Sequence, residues 1–255
     1  MTEQLSPLAL QALAVVEESG AIINANHAHP HTIRHKGRID LVTETDIAVE
    51  AFLKERLATL APQAGFLAEE SAEDLSLPDT CWIIDPVDGT TNFAHGLPLT
   101  VTSVAYRLNG EIVLGIVNAP LLRECFIAEK GKGAWRNGER ISVSSVTACE
   151  NALVATGFPY EIASRVDEIL ERMRPVLSSC QGVRRCGAAA LDLAWTPAGA
   201  STLFMKTNSN RGTWPQARCS SPRPGAAFPI WTARPLICAG RSSPETRPCM
   251  NSSEK

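Results

Sequence analysis

The stretch WIIDPVDGTTNF, residues 82 to 93, limits most strongly what this chain can fold into. Its apolar start predicts a short buried strand that ends at Asp85, after which a proline stops the strand. Asp88 follows three residues later, and Gly89 permits a tight turn. Two carboxylates and the Val87 carbonyl oxygen can therefore point at one place. Because a single D-x-x-D-G sequence is often only a turn before a helix, this short motif alone does not establish a site.

A second strand, GFLAEES at residues 65 to 71, also ends in acids, Glu69 and Glu70. Carboxylates that converge cannot all stay ionised without a counter-charge, and Mg²⁺ prefers oxygen ligands of this kind. If Gly89, Thr90 and Thr91 open a helix, their N–H groups favour an anion. These features together predict metal-assisted hydrolysis of a phosphate ester, with Thr90 and Glu69 activating the attacking water.

The remaining sequence predicts helices layered on a mostly antiparallel sheet. Asn109-Gly110 between two β-branched runs indicates a hairpin, and Thr43 with Asp46 indicates a capping box at a helix start. Helices are predicted at 5–25, after Asp46, at 161–177 and from Cys186 onward. Strands are predicted at 65–71, 81–86, 99–108, 111–120, 124–141 and 151–158.

Composition excludes several classes of function. A net charge of −3 and a pI near 6.0 do not indicate the basic surface that is typical of nucleic-acid-binding proteins. No basic leader and no apolar run of membrane length is apparent, so we expect a cytoplasmic protein with no membrane partner. The eight cysteines include no C-x-x-C pair, which disfavours structural zinc. The alternating histidines of residues 27–35 are better interpreted as a solvated loop than as a metal tract.

The motifs resemble those of the inositol monophosphatase family. LAEES at 67–71 and WIIDPVDGTTNF at 82–93 carry the resemblance, and three further motifs extend it over roughly residues 5 to 194. These are DLVTETD at 40–46, GKGAWRNGERISVS at 131–144 and RRCGAAALDLA at 184–194. The resemblance implies an α/β fold, the layered αβαβα sandwich of the inositol monophosphatase and fructose-bisphosphatase type. It also implies a Mg²⁺ cofactor, inhibition by Li⁺ and a homodimer.

The resemblance also implies roles for particular residues. The metal ligands would be Glu69, Asp85, the Val87 carbonyl and Asp88. The catalytic residues would be Glu69, Thr90 and Asp46, with Asp46 near the metals. The substrate-binding residues would be Asp85, Gly89, Thr90, Thr91, Gly187 and Ala188, the last two on the polyol side, and Lys36 would lie in a loop over the site.

Residues 196 to 255 differ in character from the rest and hold eight of the seventeen prolines. The family would continue with a strand and a Trp-Asp pair whose aspartate is the remaining metal ligand, and neither is evident. Residues 204–217 can be encoded by codons that read, in another frame, Tyr-Glu-Asp-Glu-Phe-Lys-Pro-Trp-Asp-Met-Ala-Ala-Gly, and residues 241–255 hide a second family-like stretch. This predicts a frameshift close to Trp195, with the missing aspartate read across Gly212 and Thr213.

The sequence therefore predicts an incomplete phosphatase domain at residues 1–195 and an aberrant, poorly ordered tail at 196–255. The predicted reaction is attack of metal-activated water on the phosphate monoester of a small polyol, with myo-inositol monophosphate favoured. A bisphosphate nucleotidase, a histidinol phosphatase and a fructose-1,6-bisphosphatase remain alternatives. So does a non-catalytic remnant of the fold that only binds.

Overall fold

The computed structural model describes residues 4–27, 33–35, 41–71, 78–158, 162–199 and 203–206. Five α-helices lie in these residues: α1 Pro7–Asn26, α2 Glu44–Leu60, α3 Thr90–Ala94, α4 Val166–Ser179 and α5 Ala189–Trp195. The first seven strands are β1 Ile33–His35, β2 Leu41–Thr43, β3 Gly65–Ala68, β4 Cys81–Asp88, β5 Val101–Leu108, β6 Glu111–Ala119 and β7 Glu124–Glu129. The others are β8 Gly133–Arg136, β9 Glu139–Arg140, β10 Leu153–Gly157, β11 Gly182–Arg184 and β12 Leu203–Lys206.

Seven strands form the main sheet in the order β3-β4-β5-β6-β7-β8-β9. Strand β3 pairs with β4 in parallel, and every other pairing is antiparallel. The predicted hairpin between β5 and β6 is confirmed, because Asn109 and Gly110 both have positive φ, 52° and 83°. Since β3 and β4 run in the same direction, their carboxyl ends lie at the same edge of the sheet and bring their acids there together.

Helices α1 and α2 cover one face of this sheet. Ser6 caps α1 by accepting from the Ala9 backbone N–H at 3.2 Å, and Thr43 and Asp46 form the predicted capping box of α2. The apolar sides of both helices bury Val16 and Leu53 against strand residues such as Ile84. The capping box fixes where α2 begins, and so it fixes Asp46 at that edge of the sheet.

Helix α5 packs on the opposite face of the main sheet, against β5 and β6. Alternate residues of β6 serve the two cores, with Ile116 facing the α1–α2 side and Val117 facing α5. Beyond α5 lies a parallel sheet of order β11-β10-β12, which α4 covers from outside. The layers are thus helix, sheet, helix, sheet, helix, which confirms the predicted sandwich.

Several strands differ from the sequence predictions. Strand β4 does not end at Asp85 but continues to Asp88, because a register shift against β5 between these two residues accommodates Pro86. Strands β11 and β12 were not predicted. Strand β12 pairs with β10, so the described fold continues past Trp195. Of the tail at 196–255, which was predicted to be poorly ordered, the structure describes only residues 196–199 and 203–206.

Among the described residues, helix α1 is long and apolar enough to cross a membrane, by length and composition alone. The sequence analysis predicted a helix here and found no apolar run of membrane length. Ala12, Val16 and Ile23 of this helix are fully buried in the core beside α2, and a buried core helix meets the same criteria. The composition of α1 is therefore weak evidence for a membrane span.

Candidate metal and phosphate site

The bulged end of β4 carries the two aspartates at the centre of the site. Asp85 and Asp88 are 3% and 8% exposed, and Val87 between them is 1% exposed. The Thr102 hydroxyl donates to the Pro86 carbonyl at 2.9 Å, which holds the bulge against β5. Because the register shifts here, the two carboxylates do not simply alternate across the strand as they would in a regular one.

Asp46 and Thr90 lie beside this strand end. The Thr90 hydroxyl is 2.9 Å from the Val87 carbonyl oxygen and 3.3 Å from Asp46 Oδ1, and can donate to either. Asp46 Oδ2 accepts from the Thr43 backbone N–H at 2.9 Å. Burial raises the pKa of Asp46 to about 6; the Thr43 hydrogen bonds oppose this, and the charge on Glu69 adds to it. The structure thus brings together Asp46, Thr90 and the Val87 carbonyl.

Gly89 turns the chain from β4 into α3. Its φ is 93°, and a Cβ there would lie 2.7 Å from the Leu99 carbonyl oxygen, so only glycine fits without displacement. The predicted helix start is confirmed, since α3 begins at Thr90. Thr90 is half-buried and Thr91 is exposed. The N–H groups of the first turn have no partner within a helix, so they can serve an anion at this position.

Glu69 and Glu70 follow the end of β3, and both are partly buried. The Glu69 backbone N–H donates to the Ile84 carbonyl at 3.1 Å, which continues the pairing of β3 with β4. Glu50 Oε2 on α2 accepts from the Glu70 backbone N–H at 2.8 Å. The sequence analysis missed Glu50, which is buried and fixes the segment that carries the two acids.

Asn92 connects α3 to the loop that precedes α5. Its side-chain amide donates to the Leu99 carbonyl at 2.7 Å and to the Cys186 carbonyl at 2.9 Å. Gly187 has a φ of 88°, and a Cβ on it would lie 3.0 Å from the Asn92 amide atoms. The structure therefore places the predicted residue Gly187 against α3. The sequence analysis had quoted Asn92 in its motif without giving it a role.

Ala188 occupies a different environment from the one the sequence suggested. It is fully buried, and its Cβ lies 3.2 Å from the position of a Cβ on Gly89. In this structure the Ala188 side chain packs against the turn at Gly89 and is closed to solvent. Gly187 is half-buried, which leaves the loop accessible at that residue.

Asp88 also holds the start of α5. Its Oδ2 atom accepts from the Ala190 backbone N–H at 2.6 Å. Asp192, one turn further along α5, is 1% exposed, and its Oδ1 atom has no hydrogen-bond partner among the described residues. Burial raises the pKa of Asp192 to about 7, and the charge on Asp88 adds to this effect. The sequence analysis did not select Asp192, because a helical aspartate carries no local signal of this kind.

The donors at this edge of the sheet fit a hard cation by their chemistry, since they are carboxylate and carbonyl oxygens. Asp46, Asp85 and Asp88 are all buried there, and a cation would offset the cost of holding such charges away from water. Within the described residues, however, no three His, Cys, Asp or Glu side chains stand close enough to form a ready-made metal cluster. The assigned roles of Glu69, Asp85, Val87 and Asp88 stay predictions, and Lys36 lies outside the described residues.

The fold and the site define a class of protein, the phosphoric monoester hydrolases built as an αβαβα sandwich. The family model described as "Inositol monophosphatase family" matches residues 4–215. The chain belongs to the inositol monophosphatase family. The match extends beyond the 5–194 that the motifs alone indicated, although the predicted frameshift itself stays a prediction.

Similar proteins agree with this assignment. An inositol monophosphatase of Dictyostelium discoideum is 40% identical over 201 residues, covering 76% of this chain and 74% of that protein. The Nus factor SuhB of Escherichia coli (strain K12) is 34% identical over 205 residues, covering 79% and 77%. The crystal structure of the extragenic suppressor protein SuhB from Bartonella henselae matches with a TM-score of 0.75 at 33% identity, covering 80% and 79%.

Proposed function

We propose that this chain hydrolyses the phosphate monoester of a small polyol with Mg²⁺ as cofactor, and that myo-inositol monophosphate is its substrate. The observation that carries the proposal is the bulged end of β4. There the buried Asp85 and Asp88 flank the Val87 carbonyl, and α3 begins directly behind them. A cation bound here would contact the carboxylate and carbonyl oxygens, and a phosphate group beside it would contact the N–H groups at the start of α3.

Glu69, Asp85, Asp88 and the Val87 carbonyl would hold the cation. When bound, a divalent cation supplies charge that polarises the phosphoryl group and stabilises the leaving oxygen. The first-turn N–H groups after Gly89 would bind the phosphate oxygens, with the exposed Thr91 nearest the solvent.

Thr90 would orient the attacking water. Its hydroxyl proton is directed at the Val87 carbonyl or at Asp46 Oδ1, at 2.9 and 3.3 Å. With that proton engaged, the Thr90 oxygen can accept a hydrogen bond from water. Glu69 lies near enough to Asp46 to influence its charge, and it would take the proton that the water loses.

Phosphate release from myo-inositol 1-phosphate tests the proposal, with Mg²⁺ and with EDTA in its place. We expect release that requires Mg²⁺ and that Li⁺ inhibits. Equal release in EDTA would contradict the metal role, and release from no polyol phosphate would contradict the activity. The coding DNA across codons 185 to 255 should be sequenced alongside this assay. If one base is missing or extra there, the corrected reading frame encodes the predicted Trp-Asp pair.

A binding role without catalysis is the second candidate. The sequence of residues 196–255 favours it, because the aspartate that the family resemblance requires as a further ligand is not found there in frame. Relatives that carry the name Nus factor SuhB agree with a role other than metabolite hydrolysis. A cooperative thermal transition without any phosphate release would support this candidate.

The proposal includes a cytoplasmic homodimer. It rests on the family resemblance of the motifs at residues 67–71 and 82–93. Light scattering after size-exclusion chromatography tests the dimer, and a monomer at micromolar concentration would contradict it.

A further inference from the structure

The register shift in β4 leaves two of its residues facing a single residue of β5. The shift lies between Asp85 and Asp88. Pro86 and Val87 lie within it, opposite Thr102, whose two neighbours on β5 pair with the aspartates. Pro86 and Val87 are both buried, so their carbonyl oxygens need hydrogen-bond donors that a regular ladder would otherwise supply.

A threonine hydroxyl serves each of these two carbonyls. The Thr102 hydroxyl donates to the Pro86 carbonyl at 2.9 Å, and the Thr90 hydroxyl lies 2.9 Å from the Val87 carbonyl oxygen. Thr90 is half-buried and can donate to Asp46 instead, at 3.3 Å. Thr102 is fully buried and has no second acceptor among the described residues. The contact made by Thr102 is therefore the fixed one of the two.

This fixed contact determines how the next peptide group is oriented. Because a peptide group is planar, the direction of the Pro86 carbonyl also fixes the direction of the Val87 N–H. Only the backbone torsions of Val87 separate that plane from the Val87 carbonyl. Val87 is packed in the core between the main sheet and the first two helices, where its torsions have little room to change. The Thr102 hydroxyl therefore fixes the Val87 carbonyl through the intervening peptide group.

A neighbouring threonine lacks any such contact. Thr100, two residues earlier in the chain, is also fully buried, but its Oγ1 atom has no hydrogen-bond partner among the described residues. Removal of the Thr100 hydroxyl therefore breaks no hydrogen bond, whereas removal of the Thr102 hydroxyl leaves a buried carbonyl without its donor. The two threonines form a matched pair for an experiment.

We propose that Thr102 is a positioning residue for the cation, which its hydroxyl serves by holding the Val87 carbonyl in place. The inference rests on the proposed function, because it takes that carbonyl to be a ligand of Mg²⁺. Hydrogen-bond partners that lie behind the ligands of a metal change its affinity by about 10- to 100-fold when they are removed. Thr102 thus determines how tightly Mg²⁺ binds, and not the rate once the site is loaded.

Calorimetric titration of Mg²⁺ into the metal-free chain tests the inference. Thr102→Val removes the hydroxyl, keeps nearly the same shape and should weaken Mg²⁺ binding about tenfold or more. Thr102→Ser keeps the hydroxyl and should bind Mg²⁺ within about threefold of the unaltered chain. Thr100→Val is the matched control and should stay within about twofold, because the hydroxyl it removes has no partner.

Phosphate release measured against Mg²⁺ concentration gives a second readout. Thr102→Val should need about tenfold more Mg²⁺ to reach half of its maximal rate, and saturating Mg²⁺ should restore kcat to within about threefold. A merely structural defect would lower turnover at every Mg²⁺ concentration. Urea titration of each variant shows whether it is folded.

Three results would overturn the inference: normal Mg²⁺ affinity in Thr102→Val, a tenfold loss in Thr102→Ser, or equal losses in Thr102→Val and Thr100→Val. The serine variant decides the question if the valine variant does not fold. If the affinities behave as expected while no polyol phosphate is hydrolysed, the proposed activity fails and the role of Thr102 stands. Absence of Mg²⁺ binding in the unaltered chain would contradict both.

Discussion

Strands β4 and β11 both lead into the candidate site, but they are held in very different ways. Strand β4 has eight residues, all buried, and lies between two neighbours in the main sheet. Strand β11 has three residues, none of them buried, at the edge of the smaller sheet. The rigid strand carries Asp85 and Asp88, whereas the weakly held strand leads to Gly187. The predicted metal ligands thus lie on the strand that is more strongly held, and the Gly187 loop follows the strand that is more weakly held.

The largest expected effect on this comparison comes from Asp88→Asn. Asp88 ends β4 and also accepts from the Ala190 N–H of α5, so it joins β4 to the helix that follows the Gly187 loop. Asparagine keeps an oxygen acceptor but removes the charge that a cation requires. We expect phosphate release to fall by more than about 100-fold, beyond the usual effect of altering an outer hydrogen-bond partner of a metal site.

Asp167→Asn is the control for this substitution. Asp167 is an exposed aspartate in the first turn of α4, far along the chain from the acids. Its replacement should leave phosphate release within about twofold. Near-normal turnover of Asp88→Asn would remove the metal-ligand assignment at the end of β4.

Trp82→Ala probes the rigidity of β4 directly. Trp82 is fully buried, and its ring centre lies 4.5 Å from that of Tyr106 on β5. The cavity left behind should lower the free energy of unfolding by about 3–5 kcal/mol in urea titration. Val183→Ala on β11 should lower it by less than about 1.5 kcal/mol, because Val183 is only half-buried. Similar losses in the two variants would erase the contrast between the strands.

The same contrast separates what could be predicted from sequence from what could not. The Asn109-Gly110 hairpin and the Thr43–Asp46 capping box were predicted because each signal lies within a few residues of chain. Strand β11 exists only through pairing with β10, and three residues carry no period of their own. The αβαβα arrangement therefore came from the family resemblance and not from local pattern.

The site residues show the same difference between local sequence signals and tertiary contacts. Asp85, Asp88 and the glycine turn were predicted because they stand in one motif. Glu50 contacts a backbone group 20 residues away, and Asn92 one that is 94 residues away, so their roles depend on tertiary structure. The burial of Ala188 under Gly89 could not be foreseen either, because it depends on how two distant turns meet.

Two buried carboxyl groups, Asp46 on α2 and Asp192 on α5, should make stability depend on pH. Without metal, the folded-state pKa values of Asp46 and Asp192 are raised to about 6 and about 7, from an ordinary value of 3.8. A raised carboxyl pKa means that the folded state binds the proton more tightly. The folded state is therefore favoured at low pH and loses stability as pH rises through the raised value.

Urea titrations in EDTA between pH 4 and 8 measure this effect. We expect a loss on the order of 2 kcal/mol as pH rises, and each Asp→Asn variant should remove part of it. Asp46→Asn should flatten the curve between about pH 4 and 6, and Asp192→Asn should act up to about pH 7. A profile that neither variant alters would mean that neither buried carboxyl changes its proton affinity on folding.

The smallest expected effect concerns the link between the two regions, which Asn92→Ala removes. Its amide bridges α3 to the Leu99 and Cys186 carbonyls, and loss of these hydrogen bonds leaves the acceptors unsatisfied. We expect a loss of about 1–2 kcal/mol in the free energy of unfolding. The exposed Asn151 provides the control, since Asn151→Ala should change stability by less than about 0.5 kcal/mol.

If Asn92 positions the Gly187 loop, its loss should raise KM more than it lowers kcat, because the acids of β4 stay in place. A fall in kcat with unchanged KM would instead place Asn92 in the support of the acids themselves.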